Sequence, residues 1–404
     1  MNSEWQTSTL GDVLAVLRNG VNCKQDKSGK GDKISRIESI STASFDLEKV
    51  GYAELTHSEK ARYLLQPGDI LFSHINSAVH VGKTAIFDSN ETVYHGVNLL
   101  LMRPKKVIAS AYLEYALKFL FQSGYWRGVC KQSVNQASVN QQDISRVEIR
   151  YPKSLPEQKR IVGILDKAFD GIAMAKANAE KNLQNARALF ESHLQSAFAQ
   201  SCKEWPLKTL NEVCQIKPPK REARERISAD GMVSFLPMED LGIDEEFAKP
   251  RQIRPLSAVE GSYTYFADGD VLLAKITPCF ENGKLGIAEG LVNGIGFGSS
   301  EYIVFRPDRT LNKEWLYYYL FREAFRSEGA MRMSGAVGHK RVAKEFIEGY
   351  PIPVPSLLEQ QRVIGVFDSI SAETQKLRSL YRRQLTAIDE LKKSLLHQAF
   401  TGAL

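Results

Sequence analysis

The chain is written twice. Ser154-Leu-Pro-Glu-Gln-Lys-Arg-Ile-Val-Gly-Ile-Leu-Asp166 returns as Ser356-Leu-Leu-Glu-Gln-Gln-Arg-Val-Ile-Gly-Val-Phe-Asp368, about 200 residues later and far beyond the ~20–50-residue period of a solenoid or propeller. The copied unit is therefore a whole domain plus its connector. Other anchors repeat in the same order. Glu4-Trp5, Thr9-Leu10 and Val13 match Glu204-Trp205, Thr209-Leu210 and Val213. Gly68-Asp-Ile-Leu71 and Gly82-Lys83 match Gly269-Asp-Val-Leu272 and Gly283-Lys284, and Arg103-Pro104 matches Arg306-Pro307. Between these anchors, residues 24–64 and 218–265 share nothing recognisable. One scaffold presenting two different surfaces is the reading that follows.

A chain of 404 residues, 43% hydrophobic and 25% charged, has room for two to four domains with full cores. No apolar run approaches the ~18–20 residues of a membrane span, and the start Met1-Asn-Ser-Glu-Trp5 lacks the charged and apolar segments of a signal peptide. A cytoplasmic protein with no membrane partner is expected. The five cysteines (Cys23, Cys130, Cys202, Cys214, Cys279) are scattered, without a C-x-x-C pair, so neither a disulfide framework nor a zinc site is indicated. A formal net charge of +6 permits an anionic partner without requiring one.

The connectors read as helices. Residues 154–200 and 356–404 open on a Ser with Glu three positions on (Ser154 and Glu157, Ser356 and Glu359), a capping-box pattern preceded by prolines. Ile161, Leu165, Ala168, Ile172, Ala175, Ala179, Ala186, Leu189 and Phe190 recur at helical spacing. So do Val363, Phe367, Ile370, Leu377, Leu380, Leu385, Ile388, Leu391 and Leu395. At ~1.5 Å per residue such a helix is roughly 65 Å long, too long for the inside of one domain. The apolar stripes are expected to pair with each other as an antiparallel coiled coil carrying a globular domain at each end. The resulting fold class is two mixed α/β domains, 1–153 and 201–355, related by a pseudo-two-fold repeat and separated by helices 154–200 and 356–404.

In the domains, Ile70-Leu-Phe72, Thr84-Ala-Ile-Phe87, Leu99-Leu-Leu-Met102, Val271-Leu-Leu273 and Tyr302-Ile-Val-Phe305 are predicted strands, and 111–121 and 313–327 predicted helices. No phosphate-loop, zinc-protease or dinucleotide motif is present, and the seven histidines show no ligand spacing, so neither a catalytic nor a metal site is indicated. Gly294-Ile-Gly-Phe-Gly-Ser reads as a turn.

Binding chemistry is better represented. Lys131 to Gln142 is a run of amides and hydroxyls that includes Asn135, Gln136 and Asn140, and the equivalent place in the second half holds His339, Lys340 and Arg341. Amides pair bidentately with adenine, Arg and Lys with guanine, and Ser, Thr or Lys with phosphates. Ser73, His74 and Asn76, then Lys83, follow the first Gly-Asp strand; Lys275, Thr277 and Lys284 follow the second. These residues, with the basic stretch from Lys217 to Arg224, are the candidate DNA contacts.

In this order and twice over, the motifs resemble those of the specificity subunit of type I restriction-modification systems. The resemblance rests on Leu155-Pro-Glu-Gln-Lys-Arg160 and Leu357-Leu-Glu-Gln-Gln-Arg362, which hold Gln158, Arg160, Gln360 and Arg362. Ser196-Ala-Phe198, Gln398-Ala-Phe400, the two Gly-Asp segments, Asn135-Gln-Ala-Ser-Val139 and Lys340-Arg-Val342 add to it. It implies a non-catalytic chain that reads double-stranded DNA, one half of a split site per recognition domain. Its helices would hold two copies of an adenine methyltransferase subunit, and an ATP-dependent translocase and nuclease subunit would join the full complex. S-adenosylmethionine, ATP and magnesium would belong to those partners, which agrees with the absence of an Asn/Asp-Pro-Pro-Tyr/Phe motif here. Half-sites on one face of DNA sit about 34–36 Å apart per turn, so the helices would act as a ruler for the unread gap. A stand-alone repressor-like DNA-binding protein and a protein-binding scaffold are the alternative classes.

Overall fold

Apolar runs of four to six residues bounded by Gly, Asp or Pro are too short for stable helices and pair as strands instead. In the computed structural model, which describes residues 5–27, 29–42, 44–133, 136–201, 205–336 and 338–404, they build two compact units. Unit 1 comprises Met1–Ala179 with Arg383–Leu404, and unit 2 comprises Glu180–Arg382. The units therefore do not follow the linear order of the chain. Each combines a globular domain with the start of the long helix that follows that domain and the end of the other long helix, the two helices being Leu155–Ser201 and Leu357–Thr401.

Unit 1 has a four-stranded antiparallel sheet in the order Leu14–Asn19, Leu100–Pro104, Asp69–Phe72, Thr84–Phe87. Unit 2 repeats that order with Cys214–Ile216, Tyr302–Pro307, Val271–Ala274 and Leu285–Ala288, and adds Phe247–Ala248 as a parallel edge strand. In both, the strand that opens the domain pairs with the strand that closes it: Trp5–Thr9 with Glu148–Pro152, and Leu207–Thr209 with Pro351–Pro353. The non-repeating segments fold differently. Unit 1 has the short pair Asp32–Ile34 and Gly51–Ala53. Unit 2 has a second four-stranded sheet built on Met232–Leu236, Gln252–Pro255, Thr264–Ala267 and Ile295–Gly298.

The letters that recur in both halves hold the scaffold together. Gly68 and Gly269 adopt φ of 92° and 88°, the left-handed region that glycine enters without steric cost. They turn the chain so that Asp69 and Asp270, each 1% exposed, meet an arginine. Arg103 donates to both Asp69 oxygens at 2.6 and 2.7 Å, and Arg306 to both Asp270 oxygens at 2.7 and 2.8 Å. Gln158 and Gln360 are fully buried. Gln158 Nε2 donates to the Pro152 and Val107 carbonyls at 2.8 and 3.1 Å, while Oε1 accepts from the Ala109 amide at 2.8 Å. Gln360 does the same with Pro355 and Thr310 at 2.9 Å each and with the Asn312 amide at 2.8 Å. One side chain thus ties the first turn of the long helix to the loop that opens the domain's own helix, Ser110–Gln122 or Lys313–Phe321. Two turns on, Asp166 and Asp368 accept from Tyr115 and Tyr318 at 2.6 Å each.

The far ends of the long helices are anchored by phenylalanine. In unit 1 Phe400 packs on Tyr112 and Phe119; in unit 2 Phe198 packs on Trp315, Tyr319 and Phe367. Within each unit the two helical segments run antiparallel, as expected. In unit 1 Arg160 reaches the Leu404 carbonyl at 3.2 Å and Lys176 pairs with Asp389 at 2.9 Å. In unit 2 Asp244, held at φ 61°, bridges Arg378 (2.8 Å) and Arg187 (3.5 Å), one from each segment.

Four expectations are corrected. The Glu157 and Glu359 carboxylates are taken by Arg160 and Arg362 at 2.7–2.9 Å and do not complete a capping box, although Ser356 Oγ accepts from the Glu359 amide at 3.3 Å. The helix expected over 313–327 breaks at Arg322 (ψ 141°) into Lys313–Phe321 and Glu323–Met331. Gly294-Ile-Gly-Phe-Gly is a turn only at Gly294; Ile295–Gly298 is an interior strand. Glycine is needed there because a Cβ on Gly296 would lie 2.1 Å from the Phe266 ring. Leu189, Leu377, Leu380 and Leu391 are half-exposed, since one partner helix covers a narrower stripe than the full amphipathic face.

Replacing Gln158 or Gln360 by Leu orphans buried amide and carbonyl groups and is expected to cost about 3 kcal/mol, whereas Gln361→Leu, at an exposed position, is close to neutral. Urea denaturation of the three variants checks this; equal losses in all three would refute the buried anchor.

Candidate nucleic-acid interface

The amide run that follows the domain helix of unit 1 folds as a hairpin. Lys131–Ser133 and Gln136–Ser138 pair with Gln136 opposite Ser133 and Ser138 opposite Lys131. The free edge of the second strand takes Ile75–Asn76, and the Val139 amide donates to the His74 carbonyl at 2.9 Å. Two segments about 60 residues apart in sequence are thereby fused into one small sheet, an edge-pairing that uses backbone groups and leaves side chains free to differ. Unit 2 repeats the device with other letters. Met333–Ser334 pairs with Arg341–Val342, Ile276 bridges Arg341, the Thr277 amide donates to the Lys340 carbonyl at 2.9 Å, and the Val342 amide to the Lys275 carbonyl at 3.0 Å.

The candidate residues fall into distinct environments. Lys131, Gln136, His339 and Lys340 project from the hairpins and are exposed, as are Gln132 and Ser133. Asn140 is exposed but caps the next helix, accepting from the Asp143 amide at 2.7 Å. Arg341 is clamped by both Glu301 oxygens at 2.9 and 2.7 Å. Ser73 and His74 are buried, and Asn76 Nδ2 donates to Ser73 Oγ at 3.3 Å. Thr277 donates to Glu281 at 2.8 Å. Lys83 and Lys284, matched by the repeat, each donate to a carbonyl, of Ser41 (3.4 Å) and of Met238 (2.6 Å). Asn135 lies outside the described residues. Ser154, Glu157, Gln158, Arg160 and their second-half equivalents sit at the helix starts, where the two glutamines serve as buried anchors. The roles of Asp69 and Asp270 were missed by sequence reasoning; the signal was the recurrence of a buried-type turn followed by the same acid and a distant Arg-Pro in both halves.

Counting from the Gly-Asp turn, His74 and Lys275 occupy the same place, as do Asn76 and Thr277. Burial holds the His74 imidazole down at about 4, so it is neutral. The Lys275 ammonium, lowered by burial and then by Lys217 and Arg341 against the pull of Glu301, donates to the Ser300 carbonyl at 3.0 Å. Among the described residues, no group of three or more His, Cys, Asp or Glu side chains gathers as a metal site, and no helix is long and apolar enough to cross a membrane.

Two copies of one scaffold, each lifting a polar hairpin of its own composition, define a duplicated recognition protein. The type I restriction modification DNA specificity domain matches residues 2–184 and again 202–382, and this chain belongs to that family. A protein of Methanocaldococcus jannaschii that carries the provisional name of type I restriction enzyme MjaX specificity subunit is 29% identical over 99% of this chain and 94% of its own length. The EcoEI specificity subunit of Escherichia coli is 37% identical over 48% of this chain and 32% of its own length. Among solved structures, a chain from work on complex assembly and conformational transition of the type I R-M system superposes with a TM-score of 0.73 at 18% identity, covering 99% of this chain and 98% of that one. The HsdS subunit of Thermoanaerobacter tengcongensis gives 0.56, also at 18%, covering 100% of this chain and 98% of that one. Both show likeness of fold.

His95, also buried, is held at about 3 by desolvation. Both histidines are thus neutral in the folded state, while an unfolded histidine protonates near 6.5. Their contribution is full above pH ~6.5 and is lost as pH falls toward their folded values, about 2 kcal/mol each between pH 7 and 5. Unfolding measured at both pH values is expected to show this loss, reduced by about half in His74→Gln; an equal loss in the variant would refute it.

Proposed function

We propose that this chain is the DNA-reading subunit of a type I restriction-modification enzyme, and that each unit reads one half of a split site through its hairpin and the loop paired to it. The carrying observation is that the backbone arrangement is duplicated while the outward side chains are not: Lys131, Gln132 and Gln136 in unit 1, His339 and Lys340 in unit 2. Identical frames with different polar tips are what two different half-sites require, because base edges are read by side-chain donors and acceptors while the frame fixes their register. No reaction chemistry falls to this chain in that role. S-adenosylmethionine, ATP and magnesium would be bound by the partner subunits.

Two copies of an adenine methyltransferase subunit would dock on the long helices. Half-exposed or exposed Met174, Leu189, Val366, Leu377, Leu380 and Leu391 support this, because apolar side chains left uncovered on paired helices suit a further protein surface. The helices, of 47 and 45 residues, would also set the unread gap, since DNA advances ~3.4 Å per base pair against ~1.5 Å per helical residue.

A map of methylated adenine with and without this gene tests the proposal. One split motif with a fixed gap is expected to disappear when the gene is removed; an unchanged map in cells that express the methyltransferase would overturn it. Gln136→Ala is expected to relax the half-site of unit 1 alone, at about 1–3 kcal/mol per lost bidentate contact.

A further inference from the structure

Beside the second hairpin, unit 2 contains a groove of about 630 Å³. Lys217, Lys220, Lys275 and Lys344 line it together with Tyr263 and Tyr265. Two of these lysines are held by backbone carbonyls. Lys220 Nζ donates to the Glu260 and Gly261 carbonyls at 2.8 and 2.9 Å, and Lys275 Nζ to the Ser300 carbonyl at 3.0 Å. The carboxylates nearest to these two are already engaged. Glu260 is held by Arg224 at 2.6 Å, and Glu301 by Arg341 at 2.7 Å while standing 3.9 Å from Lys275. Glu348, which also lines the groove, pairs with Lys344 at 3.2 Å. Positive charge therefore remains in excess at Lys217, Lys220 and Lys275.

That excess is costly in the free protein. Burial lowers Lys220 and Lys275, and Lys217 pushes each in the same direction against the pull of Glu260 and Glu301. An anion seated among the three would relieve the repulsion and receive charge-assisted hydrogen bonds from ammonium groups that still have N–H to donate. The groove also adjoins the reader: Lys275 and Val342 line it, and the same two residues make the backbone hydrogen bond that fuses loop and hairpin. In unit 1 the place of Lys275 is taken by the buried, neutral His74.

We propose that this groove seats a backbone phosphate of the DNA strand that passes the second hairpin, held by Lys217, Lys220 and Lys275, so that unit 2 carries a sequence-independent anchor next to its base contacts. The inference rests on the DNA-reading function proposed above and adds a division of labour to it. Hairpin side chains choose bases; the groove supplies affinity and register.

The test uses the complete methyltransferase complex and a duplex carrying the motif found by mapping. Wild type must first bind that duplex with affinity that falls as salt rises; failure at this step rejects the functional reading itself, independently of the groove. The double variant Lys217→Gln, Lys275→Gln is then expected to bind more weakly and to lower the slope of log affinity against log salt by about 0.9, the value of one released phosphate contact. The methylated motif stays the same, and Lys217→Arg, Lys275→Arg restores the slope. An unchanged slope overturns the proposal, as does a change in the bases accepted at the half-site of unit 2, which would make these lysines base readers. If the Lys275 variant proves unstable on thermal melting, Lys217→Gln alone decides, because Lys217 is exposed and its replacement leaves the fold intact.

Discussion

The structure depends on a buried amide at the root of each long helix. Gln158 and Gln360 satisfy two carbonyls and one amide each without contact with water. A buried polar group is tolerated only when paired, and once paired it fixes geometry more sharply than an apolar contact can. The glutamine therefore sets the angle at which a helix of over 40 residues leaves its domain. A small error at that root would be magnified along the whole rod. The tyrosine–aspartate bonds two turns on, Tyr115 to Asp166 and Tyr318 to Asp368, make the exit direction a two-point constraint.

Scaffold and reader divide along the same line as repetition and divergence. The Gly-Asp turn, its arginine, the helix-root glutamine and the terminal phenylalanine occur in both halves, and the aspartates, glutamines and phenylalanines among them are buried. His74 against Lys275 and Asn76 against Thr277 occupy matched backbone places with different chemistry. In unit 2 the divergent segment does more than decorate, because its Asp244 bridges Arg187 and Arg378 and so binds the variable part of the domain to both helical segments. A basic groove lies beside the second hairpin, whereas the matching place beside the first holds a buried, neutral histidine.

Much of the architecture was legible in the sequence. The helix limits followed from Ser-initiated amphipathic runs with no proline beyond the first turn, and the sheet strands from short apolar runs bounded by turn residues. Family membership was legible because many weak motifs recurred in one order. The failures have physical causes. The glycine cluster reads as a turn because it lies between predicted strands with no helix following; it is a strand because the Phe266 ring lies against Gly296, a contact between distant segments. Glu157 and Glu359 matched a capping pattern, yet an arginine three residues on competed for the same carboxylate and won through a bidentate pair. Asn140 was legible as a polar tip but not as a helix cap.

By itself, then, the sequence determined that there are two copies of one domain and two long amphipathic helices, since periodicity, capping and repetition are local properties of the chain. Only the tertiary structure decided that each unit borrows the end of the other helix, that Gln158 and Gln360 are buried anchors, and that Ile75–Asn76 pairs with Gln136–Ser138 and Ile276 and Thr277 with Lys340 and Arg341. These outcomes depend on which distant backbone edge or apolar face is closest once the cores form. That choice is made by packing and hydrogen-bond satisfaction over the whole unit, which no local pattern encodes.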